Sequence, residues 1–190
     1  MQLLEEKIRQ DGRVIGTEVL KVDNFLNHQV DPALMAAMGR EFAQLFADKG
    51  ITKVMTVESS GIAPAVFTAL ELDVPMVFAR KKKSLTLTDD NYTADVYSFT
   101  KQETNHIIVD KRFISSNDKV LLIDDFLANG QAVQGMMEIL DAAEAELVGV
   151  GIVIEKTFQK GRELLDEKNV HVESLARIAA FEDGQVIFAD

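Results

Sequence analysis

Hydrophobic positions along the chain follow two periods, and their alternation predicts a wound α/β domain. Asp31-Pro32 supplies a cap and a first-turn proline, after which Leu34, Met35, Met38, Phe42, Leu45 and Phe46 recur at helical intervals up to Gly50. The next segments read as a strand at 51–57, a helix at 62–72 and a strand at 75–79, which together make a right-handed parallel crossover. Val120-Leu121-Leu122-Ile123 is a short apolar run of buried-strand type, and Val133, Met136, Met137, Ile139 and Leu140 then take up helical spacing. The unbroken apolar stretch 147–154 predicts a parallel strand covered on both faces. A helix at 160–168, a strand at 170–175 and a closing hairpin within 181–188, turning at Asp183-Gly184, complete the pattern.

Two regions depart from it. Residues 1–10 have helical spacing (Leu3, Leu4, Ile8) that stops at Asp11-Gly12, and short extended pieces such as Val19-Leu20-Lys21-Val22 follow. Without a parallel-sheet run, residues 1–30 are expected to form an accessory element over the core. Between 82 and 104 the composition shifts to Ser, Thr, Asp, Asn and Lys, with alternation at 93–99. A polar connection of that length inside a domain is a lid or a disordered segment; we read it as a lid whose ribbon pairs 92–99 antiparallel with 105–110.

Composition narrows the function. With 190 residues and 47% hydrophobic content the chain suffices for one domain and its core. No apolar run approaches the roughly 20 residues of a membrane span, and the first residues do not form a signal peptide, so the expected location is cytoplasmic. The chain has no cysteine, and His28, His106 and His171 are scattered, which disfavours a thiolate or structural zinc site. A formal net charge of −11 argues against a general nucleic-acid surface. Against that background Arg80-Lys81-Lys82-Lys83 stands out as a place to collect an anionic small ligand, its bland reading being a solvated charge run.

The strongest chemistry lies at 120–132. An apolar strand ends in Asp124 and Asp125, and Phe126-Leu127-Ala128-Asn129-Gly130-Gln131-Ala132 leads through a Gly-containing turn into a helix. Amides at such a turn and helix N-terminus suit a phosphate monoester, while adjacent carboxylates accept hydrogen bonds from vicinal ribose hydroxyls or hold a hydrated cation. Glu58-Ser59-Ser60-Gly61 is a second small-residue turn before a helix. Ser59 or Ser60 could be read as a nucleophile, but no His or Asp partner lies at an interpretable distance and no Gly-x-Ser-x-Gly elbow is present.

Residues 120–132 resemble the 5-phosphoribosyl 1-pyrophosphate (PRPP) signature of the type I phosphoribosyltransferases. Together with Glu58 to Pro64, Phe78 to Lys81 and Gly151 to Lys156, the similarity to the purine-using members extends over essentially the whole chain. The phosphate loop departs from the commonest family form, which has Thr and Gly where this chain has Asn129, Gln131 and Ala132. Backbone amides and the side-chain amides of Asn129 and Gln131 therefore remain as its phosphate donors.

The resemblance implies a single phosphoribosyltransferase domain with a central, mainly parallel five-stranded sheet flanked by helices. It implies a hood over the base, formed by residues 1–30 and the C-terminal segment, and a flexible β-ribbon loop closing over PRPP. Ala128, Asn129, Gly130, Gln131 and Ala132 would bind PRPP with Ser59, Ser60 and Gly61 as pyrophosphate loop, and Arg80 and Lys81 would assist the leaving group. Asp124 and Asp125 would fix the ribose, with Mg²⁺ carried by PRPP and no certain protein ligand. Leu20, Asn27, Lys156 and Phe158 would contact the base. The implied acceptor is xanthine, although local chemistry supports only a 6-oxopurine, to which the Lys156 ammonium can donate. Bland readings stand beside these: a turn residue for Asn27, an ion pair with Glu155 or another surface acid for Lys156 and plain packing for Phe158. A homodimer is also implied, in which part of the Arg80-Lys81 set crosses the interface in related enzymes. Guanine and hypoxanthine remain alternative bases. A PRPP-sensing regulator would need a basic nucleic-acid surface that this acidic chain lacks, and a receiver-type domain would carry its acidic pair near the start.

Overall fold

The apolar runs assemble into one wound sheet, and the chain visits its layers in the order that the periodicity predicts. The structure is a computed structural model describing residues 1–81, 90–98 and 103–189; Lys82, Lys83 and much of the predicted lid lie outside the described residues. Helix α1 (Gln2–Asp11) leads into a small hairpin, β1 (Arg13–Ile15) and β2 (Val19–Lys21), and a π-helical turn at Asp23–Asn27. Then come α2 (Pro32–Leu45), β3 (Lys53–Val57), α3 (Ile62–Leu72) and β4 (Met76–Ala79). A ribbon of β5 (Asn91–Ser98) and β6 (Glu103–Asp110) precedes β7 (Lys119–Leu127), α4 (Gln131–Ala142) and β8 (Glu146–Lys156). Helix α5 (Gly161–Glu167), β9 (Val172–Glu182) and β10 (Gln185–Phe188) end the chain.

The sheet has six strands in the order β10-β9-β8-β7-β3-β4, one more than the expected five. Five of them, β9 to β4, are mutually parallel, and β10 is antiparallel to β9. The extra strand arises because the expected strand at 170–175 does not stop: β9 runs unbroken to Glu182, so the closing hairpin extends the sheet itself. Asp183 and Gly184 both have left-handed backbone (φ 49° and 76°), the two-residue turn that matches strand twist.

Strand β7 has no polar alternation in its first half because both its faces are buried. Leu121 and Ile123 join a cluster with Leu34, Met38 and Phe42 of α2, whereas Val120 and Leu122 join Met136, Ile139 and Leu140 of α4. Alternate side chains of one strand thus serve two cores. The Asp31 carboxylate accepts from the amides of Ala33 and Leu34, both at 3.1 Å, a cap of about 1 kcal/mol that fixes where α2 starts.

The ribbon pairs as expected, from Asn91 opposite Asp110 to Ser98 opposite Glu103. Its described part is not loose: Ala94, Ile107 and Val109 are buried in the α4 cluster, and Arg80 and Ile108 exchange two 2.9 Å backbone hydrogen bonds. Residues 1–30 pack over the other face, with Leu4, Ile8, Leu20, Phe25 and Leu26 in the cluster that includes Leu175 and Ile178 of β9. No described helix is long and apolar enough to cross a membrane.

Candidate functional site

The site is built where β7 outlasts its neighbour. Pairing with β3 ends at Met55 opposite Leu122, but β7 continues alongside β8 through Asp124, opposite Ile152, to Leu127, opposite Glu155. The acidic pair therefore lies within the strand rather than past its end. Asp124 is only 4% exposed and its Oδ1 accepts from the Asp125 amide at 3.0 Å; Asp125 is half-buried.

Beyond Leu127 the chain bends at Ala128-Asn129 and turns into α4 at Gly130, whose φ of 77° is in the left-handed region that glycine adopts without strain. The first amides of α4 have no intrahelical acceptor, and its first turn carries no acidic residue, so an anion is accommodated there. These elements wall a cavity of about 250 Å³ lined by Lys81, Asp124, Phe126 and residues 128–133, with Tyr97 and Asn105 of the ribbon on its other side.

The 58–61 turn reaches the same sheet edge by a different route. Thr56 and Val57 bring β3 up beside Asp124, and Gly61 fits only because it lacks a side chain: a Cβ there would lie 2.2 Å from Thr56 Oγ1 and 3.2 Å from Asp124 Oδ1. Glu58 locks this turn to the basic strand end. Its amide donates to Ala79 O at 3.0 Å, and its carboxylate accepts from the Lys81 amide at 2.6 Å. Ser60 stands against the Asp125 carboxylate as a hydrogen-bonding partner. Ser59 is exposed, and the Glu58–Ser59 peptide is cis. Arg80 does not line this cavity; it lines a second groove of about 660 Å³, with Phe78 of the edge strand β4 and Phe113.

Burial sets the electrostatics of the pair. Asp124 is pushed well above the ordinary carboxylate range by burial and then by repulsion from Asp125, with Lys81 pulling weakly the other way. Asp125 is raised by burial, partly offset by its hydrogen bonds to Asp124, to backbone amides and to Ser60. Two carboxylates held this way favour a partner that brings hydroxyl donors or positive charge. Among the described residues, no cluster of three His, Cys, Asp or Glu side chains is assembled for a metal ion.

Of the residues expected at the base, Lys156 is the one set against Phe126. Lys156 is half-buried, with its ammonium 5.6 Å from the Phe126 ring centroid and donating to Glu18 O at 2.7 Å. Burial holds its pKa below the ordinary lysine value. It is not paired with Glu155, which is fully buried against Arg162 and Ser174. Phe158 is 41% exposed and meets Phe181 edge-on at 5.7 Å. Leu20 is buried in the hood cluster, whereas Asn27, at the end of the π-helical turn, is exposed. Neither lines the 250 Å³ cavity, and nor do Lys156, Phe158, Ser59 or Ser60.

Sequence reading missed Glu58, Phe126, Tyr97 and Asn105 as parts of the site. For Glu58 a signal existed: a carboxylate at the head of a small-residue turn, facing a basic strand end. The other three owe their places to the meeting of β7 with the ribbon, which no local pattern records.

Known proteins share this architecture. The phosphoribosyl transferase domain family matches residues 22–182. The chain is 69% identical over 190 residues to the xanthine phosphoribosyltransferase of Latilactobacillus sakei, covering 100% of this chain and 97% of that one. It is 66% identical over 188 residues to the xanthine phosphoribosyltransferase of Leuconostoc mesenteroides, covering 99% and 100%. Among solved structures, the adenine phosphoribosyltransferase of Rhodothermus marinus superposes with a TM-score of 0.75 at 24% identity, over 94% of this chain and 100% of that one. A wound sheet of this order, a buried acidic pair beside an open-amide turn, and full-length identity to named relatives lead to one conclusion: the chain belongs to the phosphoribosyltransferase family.

Proposed function

We infer that the protein transfers the 5-phosphoribosyl group of PRPP to xanthine, giving xanthosine 5'-monophosphate and pyrophosphate in purine salvage. The observation that carries the reading is the cavity in which Asp124, Lys81 and the open amides of 129–132 meet. Each part of PRPP finds a chemical match in that cavity or on the turn at 58–61 beside it. The 5'-phosphate sits on the amides of Asn129 to Ala132, with the side-chain amides of Asn129 and Gln131 as further donors. The ribose diol donates to the carboxylates of Asp124 and Asp125, relieving their mutual repulsion. The pyrophosphate lies toward Ser59, Ser60, Gly61 and Lys81, with Arg80 beyond.

Attack by a ring nitrogen of the base on C1 forms the glycosidic C–N bond as the C1–O bond to pyrophosphate breaks, inverting the anomeric centre. The nitrogen's proton leaves to solvent. The transition state resembles a ribosyl cation, so the protein supplies orientation and charge rather than a nucleophile. Mg²⁺, when bound with PRPP, neutralises charge on the leaving pyrophosphate. Asp124 and Asp125 are the residues that would lie beside such a cation, through its water shell. Lys156 donates to the 6-oxygen of the base and Phe158 stacks on its face, with Leu20 and Asn27 closing the site from the hood formed by residues 1–30 and the C-terminal strands. In the described geometry the Lys156 ammonium donates to Glu18 O of that hood, which supports a role as donor to a carbonyl oxygen. The ribbon serves as a lid that keeps water from the activated ester.

The chain works as a homodimer in the cytoplasm. Exposed apolar residues Val66 and Leu70 of α3, with Phe78 and Phe113 beside the groove holding Arg80, support that assembly, and analytical sedimentation tests it. The reaction is tested by an absorbance assay offering xanthine, guanine, hypoxanthine and adenine with PRPP and Mg²⁺. Xanthine should turn over fastest, and no xanthine turnover would sink the substrate assignment.

A further inference from the structure

We propose that Gly161 and the ion pair Glu155–Arg162 are positioning residues that join the base-reading loop and the phosphate loop into one unit, so that occupation of one sets the other. The proposal deepens the assignment of Lys156 to the base and of 128–132 to the phosphate, and rests on it. The two loops leave neighbouring strands at adjacent points, since Leu127 of β7 pairs with Glu155 of β8. They meet again one loop later. The Gly161 amide donates to Ala128 O at 2.8 Å, and a Cβ on Gly161 would lie 2.5 Å from that oxygen and 3.0 Å from Gly130 N. Only a glycine lets the start of α5 lie against the phosphate turn this closely.

Behind this contact, Glu155 is fully buried and held on every side. Arg162 grips it with Nε at 3.1 Å and a terminal nitrogen at 2.6 Å, Ser174 Oγ donates at 2.5 Å, and Arg177 Nε lies 3.8 Å away. Arg162 also donates to Val172 O at 2.9 Å, which anchors α5 to β9. A bidentate pair whose carboxylate is buried holds both partners in one relative geometry. Residues 156–160 are thus spanned between a clamped Glu155 and a clamped Arg162, with Lys156 immediately after the first clamp and Gly161 immediately before the second. A phosphate that orders Ala128 to Ala132 orders Ala128 O, hence Gly161, hence the segment carrying Lys156 and Phe158.

Amide hydrogen exchange with and without ribose 5-phosphate tests the coupling independently of turnover. In the wild-type protein the ligand should slow exchange at 128–132 and also at 156–162. In Gly161→Ala the protection should be confined to 128–132, and KM for PRPP and for xanthine should rise together by about tenfold, the scale of a misplaced binding group. Glu155→Gln, which keeps the shape and loses the charge, should weaken the protection at 156–162 without shifting that at 128–132. Protection confined to 128–132 in the wild-type protein, or undiminished at 156–162 in both variants, would overturn the proposal. Should Gly161→Ala fail to fold, the wild-type protein and Glu155→Gln decide it. Coupled protection in a protein that does not turn over xanthine would leave the linkage standing and remove only the base assignment.

Discussion

The two halves of the site are made of different materials. On the proposed phosphoribosyl side the groups are backbone amides of a glycine turn and two carboxylates within a strand, Asp124 4% exposed and Asp125 half-buried. On the proposed base side they are tips of side chains: Lys156 reaching Glu18 O, Phe158 41% exposed, and Asn27 on the surface of a π-helical turn. Backbone groups at a strand end are fixed by the fold and change only if the fold does. Side-chain tips can be exchanged one at a time.

The contrast can be broken by substitutions on either side. The largest effect belongs to the acidic pair: Asp124→Asn with Asp125→Asn should lower kcat by about 10² to 10³-fold, as expected for losing charge stabilisation in a dry site, with circular dichroism unchanged. Rates within a few-fold of wild type would show that the pair does not hold the ribose. Gly61→Ala, whose Cβ would meet Thr56 Oγ1 at 2.2 Å, should raise KM for PRPP by about tenfold or more while leaving xanthine affinity nearly unchanged. Lys156→Ala should do the reverse, raising KM for xanthine by about tenfold, the cost of one charged hydrogen bond. Equal rises for both substrates in either variant would erase the distinction between the halves.

Stability supplies a further test. Burial and the neighbouring Asp125 raise the Asp124 pKa, so the folded chain holds this proton to higher pH than the unfolded chain does. Stability is therefore lost as pH climbs from the unfolded value of about 3.9 through the raised folded value, and remains lost at neutral pH. Unliganded Asp124→Asn should melt at a higher temperature than wild type at pH 7, and the gap should close below about pH 4. Equal melting temperatures at pH 7 would mean that the burial carries no cost. The smallest effect is expected for Phe158→Ala: a half-exposed ring that contributes under about 1 kcal/mol should raise KM for xanthine only about threefold.

Local order in this protein is legible in its residues. Asp31-Pro32 marks the start of α2, the all-apolar run 147–154 marks a strand with two covered faces, and Gly130 after Asp124-Asp125 marks the turn into α4. Each depends on neighbours within a turn or a strand, so the pattern carries it. Tertiary contact decided the rest. That β9 runs through to Glu182 and makes the sheet six-stranded follows from pairing with β8 and β10, distant partners that the 170–188 segment does not encode alone. That Glu58 holds the Lys81 amide, that Phe126 lies under the Lys156 ammonium and that Gly161 abuts Ala128 are meetings of strand ends far apart in the chain. Periodicity specifies which face of an element is buried; only the assembled sheet specifies what that face, or the loop beyond it, comes to touch.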